Sequence, residues 1–110
     1  MSSRLAGGPT DVVSQSAYEI AKAGGRHAGL LRTYQARSTA EIQRALRSYE
    51  RQVALHRQKV HSPEQFIQEW DQQSPRVQQA LLRHWQEDGA RNQELADIMR
   101  GILQERHRQG

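Results

Sequence analysis

The chain has 110 residues, a formal net charge of +4 and no cysteine. That length allows one small domain with a single core. It leaves no room for disulfides or thiolate metal sites, and no apolar run approaches the ~20 residues of a bilayer-spanning helix. Hydrophobic residues are 35% and aromatics 5%, so Ile, Leu and Val must supply a thin core.

Residues 1–9 read as a linker ending in Gly7, Gly8 and Pro9, and 10–110 as one helical domain. A first helix is expected from about Thr10 to Ala23, with Val13, Ala17, Ile20 and Ala21 at helical spacing. Gly24-Gly25 closes it. Arg26 to Ala36 reads as a short helix or turn with Leu30, Leu31 and Tyr34 inward. Ser38-Thr39-Ala40-Glu41 is a capping box that starts a long central helix over 39–61. Ser62-Pro63-Glu64-Gln65 repeats the box with proline at the first helical position, and predicts a short helix carrying Phe66, Ile67 and Trp70. Ser74-Pro75 starts another, with Val77, Leu81, Leu82 and Trp85. Gly89 is expected to weaken or break it, before a final helix with Leu95, Ile98, Met99, Ile102 and Leu103. No stretch alternates β-formers. The expected fold is all-α, a compact bundle of five or six helices with one long central basic helix.

Charge is concentrated on that central region. Residues 26–61 hold eight of the sixteen Lys/Arg and only two acids, Glu41 and Glu50. Fourteen of the sixteen cations are arginine, whose planar fork suits phosphate and carboxylate. A solvated basic face, or a surface for an acidic protein, is the plainer reading.

Within the central helix, Ile42, Leu46, Tyr49, Val53, His56 and Val60 step by 4, 3, 4, 3, 4 and form one stripe. His56 is its only imidazole. It is either a core histidine with a hydrogen-bond partner, the commoner outcome, or a proton-transfer group beside an anion-binding surface. His27 lies in the loop Gly24-Gly25-Arg26-His27-Ala28-Gly29, whose amides would suit an anion. Cleavage of RNA through its 2′-hydroxyl needs a base, an acid and a cation near the phosphate. His27 and His56 are the natural pair for proton transfer. Arg26, Arg47, Arg51 and Arg57 are candidates for phosphate, Tyr34 and Tyr49 for stacking or donation, and Glu50 for orienting a histidine or an arginine. Trp70 and Trp85 read as core. No HExxH or GxSxG motif is present, and His56 and His61 are five apart, on different faces, so no metal site and no cofactor is expected. The lack of a carboxylate-rich metal cluster favours metal-independent RNA cleavage over a metal-dependent DNase. A non-catalytic helical module binding nucleic acid or protein is the main alternative. Modification of a nucleotide is a third.

One ordered set of residues resembles the C-terminal domains of bacterial polymorphic toxins, carried on Rhs-repeat or filamentous-haemagglutinin-type proteins. It begins at Gly24-Gly25-Arg26-His27-Ala28-Gly29 and continues through Tyr34, Glu41-Ile42, Ser48-Tyr49-Glu50-Arg51-Gln52, His56 and Pro63. Trp70, Trp85, Arg91 and Gly101-Ile102-Leu103 complete it. The resemblance spans about residues 24–103. Gly89 replaces an aliphatic residue, and no proline follows Trp85. What the resemblance implies is an antibacterial effector domain delivered from a secreted carrier into the target-cell cytoplasm. It also implies a cognate immunity protein, acidic where it covers residues 26–61. Met1 to Gly8 lacks the apolar segment of a secretory signal, which fits a piece of a larger exported protein.

Overall fold

The computed structural model describes residues 16–110. The linker over 1–9 and the helix start near Thr10, with Val13, lie outside the described residues. Those that are described form four α-helices and no strand: α1 Ala17–Lys22, α2 Ala28–Gln35, α3 Thr39–His61 and α4 Pro75–Gln109.

α3 and α4 are the frame. At 1.5 Å per residue they are about 34 Å and 52 Å long. Thr39 meets Arg106, Glu50 meets Arg100 and His56 faces Asp88, so the two helices run antiparallel. The Ser38–Glu41 capping box forms in full and fixes the start of α3. At the same end of the pair, Arg106 donates to Thr39 Oγ1 and to the carbonyls of Gln35 and Arg37, tying the end of α2 to α4.

α1 and α2 pack on one flank of this hairpin. Ser16 caps α1 by accepting from the Glu19 amide at 3.1 Å. Gly24, at φ +93°, ends it. The amides of Gly24 and Gly25 return to the carbonyls of Ala21 and Ile20, the two bonds of a Schellman motif, in which glycine takes the left-handed position without steric cost. The core follows from this packing. Tyr18, Ala21, Leu31 and Ile42 bury against Leu95, Ile98, Met99 and Ile102. Ile42, Ile98 and Met99 are fully buried, and each such side chain is worth about 1.5–3 kcal/mol.

The expectation of five or six helices does not hold, for two local reasons. The segment after α3 is not a helix but two 3-10 turns, Pro63–Gln65 and Trp70–Gln72. Ser62 is already the C-cap of α3, its amide bonded to the Gln58 carbonyl, and its side chain makes no N-cap bond. Glu69 then takes a left-handed conformation, φ 57°, which no helix can contain. The second reason is Gly89, which does not interrupt α4. The helix runs unbroken for 35 residues, and a methyl group at position 89 would sit 3.4 Å from His56 Cβ. The ~1 kcal/mol that glycine costs inside a helix is small beside the packing of α4 along α3.

The first turns of α4 extend past the end of α3. There Trp70 stacks on Trp85 with ring centroids 6.1 Å apart, and Gln78 Nε2 donates to the Trp70 carbonyl at 2.8 Å. Lys59 Nζ lies over both Phe66 and Trp85, at 5.9 and 5.8 Å. These contacts hold the 3-10 segment in place of the missing helix.

Candidate active site

The two histidines singled out by the sequence each meet a carboxylate of α4. His27 Nε2 lies 2.8 Å from Glu94 Oε1. His56 Nε2 lies 3.7 Å from Asp88 Oδ2. Along α4, His84, Asp88, Arg91 and Glu94 step by 4, 3 and 3, so they share one side of the helix. Asp88 and Glu94 are six residues apart, about 9 Å along the axis, and Arg91 lies between them in the stripe. Asp88 is the hub: His84 Nε2 approaches to 3.1 Å, and Arg91 reaches its other oxygen at 3.7 Å.

Local structure fixes each imidazole. His56 is 9% exposed. Its Nδ1 donates to the Gln52 carbonyl, one turn back, at 2.7 Å. That bond makes Nε2 the basic nitrogen of the neutral ring and turns it toward Asp88. His27 stands at the start of α2 in a left-handed conformation, φ 70°. A non-glycine residue there costs about 1–2 kcal/mol, and such strain gathers at functional positions. With Nε2 on Glu94, Nδ1 is the nitrogen left for other partners.

Arg26 Nε also donates to Glu94 Oε1, at 2.8 Å. Burial pushes the Glu94 carboxyl up, but the hydrogen bonds and charges of Arg26 and His27 outweigh it, and the net displacement is downward. The linked stability is therefore present at pH above the ordinary value of 4.5 and is lost as the pH falls through the lowered one. Comparing thermal unfolding of the protein with that of Glu94→Gln at several pH values checks this. The gap in Tm is expected to be constant above about pH 5.5 and to shrink below it. A gap unchanged down to pH 3 would contradict the linkage. Because Glu94 is more than a third exposed, solvent screening keeps the effect small.

The remaining predicted residues divide between faces. Tyr34 and Tyr49 are partly buried beside each other, packed against the core. Burial first, then the Tyr34 hydroxyl, raises the Tyr49 phenol to about 12, with Arg91 pulling the other way. At neutral pH Tyr49 is thus a hydrogen-bond donor close to Arg91. Glu50 meets neither histidine; it accepts from Arg100 at 2.9 Å. Arg47 and Arg51, with Arg44, are exposed and step by 3 and 4 along α3. By helical periodicity they lie on the side opposite the Ile42–Val60 stripe, and among the described residues they meet no carboxylate. Arg57 borders a different feature, a groove of about 460 Å³ between the second half of α3 and α4. His56 and His61 line the same groove, whereas His27, Arg26 and Glu94 line a smaller one of about 210 Å³.

The sequence reading missed Asp88, Glu94 and His84, and gave Arg91 no role. A signal existed: His84 and Asp88 are an i, i+4 pair, and Arg91 extends it by three. The expected helix break at Gly89 divided this stripe and hid it. Among the described residues no three His, Asp or Glu side chains are grouped so as to hold a metal ion. Comparison with protein-family models, curated proteins and solved structures finds no match to this chain.

Proposed function

We propose that this chain is an antibacterial effector domain of the polymorphic-toxin kind, and that it cleaves RNA without a metal. The observation that carries the reading is the stripe on α4, where two histidine–carboxylate pairs flank one arginine. In this reading His56 Nε2 takes the proton from a ribose 2′-hydroxyl. The 2′-oxygen bonds to phosphorus as the bond from phosphorus to the 5′-oxygen breaks. His27, protonated, returns a proton to that 5′-oxygen. The products are a 2′,3′-cyclic phosphate and a 5′-hydroxyl. Asp88 and Glu94 offset the charge that the imidazoles carry, Arg91 meets the phosphate oxygens, and Tyr49 donates nearby. The arginines on the outer face of α3 supply sequence-independent attraction to the phosphate chain.

The same basic surface suits an acidic cognate immunity protein, and in this reading the domain is carried by a secreted protein that delivers it to the cytoplasm of a target cell. No helix of the described residues is long and apolar enough to cross a membrane. The test is to incubate the purified chain with total RNA and with duplex DNA, in EDTA. RNA breakage with intact DNA is expected. Intact RNA would refute the nuclease reading and leave a non-catalytic binding module.

A further inference from the structure

The groove beside Arg57 shares His56 with the candidate site but opens on the other side of α4 from Asp88. Gln86, Ala90 and Gln93 of α4 border it, while His84, Asp88 and Arg91 lie on the opposite side of that helix. His56 is the wall between the two sites, its ring nitrogens bonded to Gln52 and turned to Asp88. The floor is apolar, built from Val53, Val60 and Gly89. At position 89 the nearest atom a Cβ would meet is His56 Cβ, at 3.4 Å. The rim carries Arg57, His61 and the amides of Gln86 and Gln93, and no carboxylate lines it. Arg44, Arg47 and Arg51 lie on the next face of α3, and Glu50, two turns before Arg57 on its own face, is held by Arg100 at 2.9 Å.

We propose that this groove binds one nucleotide of a single-stranded RNA, with the base on the apolar floor and its phosphate at Arg57 and His61. A cavity of this size lies within the ~300–1,000 Å³ range of small-molecule sites. The two glutamine amides each offer donors and an acceptor to base edges. Charge decides in favour of a polyanion: Arg57 stands on a rim that no carboxylate lines, and the arginines on the outer face of α3 add long-range attraction to a phosphate chain. The inference rests on the RNA reading above and adds a specificity site on the far side of His56 from Asp88.

The test uses the full chain and a fluorescently labelled 2′-O-methyl oligoribonucleotide, which binds like RNA but has no 2′-hydroxyl to react. Binding is followed by anisotropy. Ala90→Trp fills the groove from an exposed helical position, and Arg57→Ala removes the phosphate ligand. Each is expected to weaken binding about tenfold, with unchanged circular dichroism, and Arg57→Ala to flatten the salt dependence. Gln79→Ala, at an exposed position of α4 outside the groove, should leave affinity near that of the unaltered chain. Binding that persists undiminished in both groove variants overturns the groove alone, as would a groove built for a partner's apolar helix. No binding by the unaltered chain overturns the groove and the RNA reading together.

Discussion

Gly101→Ala is expected to undock α1 and cost about 3 kcal/mol. Gly101 is buried in α4 directly beneath the Tyr18 ring, and a Cβ there would lie inside that ring. Tyr18 is 7% exposed and belongs to the main core cluster. Its amide also donates to Asp97 Oδ2 at 3.0 Å. The added methyl can be accommodated only by displacing the ring, since position 101 is inside the continuous α4 helix and its Cβ would overlap Tyr18 Cγ. Thermal unfolding should fall by roughly 15 °C, given ~4–8 °C per kcal/mol for a domain of this size. Because both changes act on one contact, Tyr18→Ala with Gly101→Ala should cost little more than Tyr18→Ala alone. Additive costs would mean that the two residues do not share a contact.

The second large effect is on cleavage. His27→Asn and His56→Gln are each expected to lower RNA cleavage by about 10²–10⁴-fold. Asparagine is chosen at 27 because it tolerates the left-handed backbone that alanine would strain. Glutamine is chosen at 56 because it suits a helix interior and keeps a polar group near Asp88. The two variants should differ in stability. His27 lies at a loop–helix junction, so its variant should unfold close to the unaltered chain. His56 is enclosed by α4, and its loss should cost about 1–3 kcal/mol. Full activity in both variants would refute the catalytic assignment; an inactive but natively folded His27→Asn supports it without help from His56.

Much of the frame was legible because its signals are local. The Ser38–Glu41 box, the Ser74-Pro75 start and the glycine pair after α1 act through neighbours in sequence. The stripe from Ile42 to Val60 identified the buried face of α3, including His56. Two elements were misread because tertiary contacts override local preference. Ser62 has a capping sequence after it but is already used to end α3. Gly89 looks like a breaker, yet its cost of ~1 kcal/mol is outweighed by the packing of the continuous helix on α3. The candidate site was legible in its histidines and not in its carboxylates. Nothing in the sequence pairs residue 27 with 94, or 56 with 88; the antiparallel docking of α3 on α4 and the seating of α2 create those pairs. Arginine positions were readable, but the face of each was not combined with that of the histidines. Arg47 and Arg51 thus fall behind the helix from His56, and Arg91 takes the place beside it.

The most direct test is a paired cleavage assay in EDTA on a short oligoribonucleotide and its 2′-O-methyl counterpart, with the products analysed by mass. The account predicts cleavage of the first alone, with fragments ending in a 2′,3′-cyclic phosphate and beginning with a 5′-hydroxyl. Cleavage of both strands, or of neither, would contradict it.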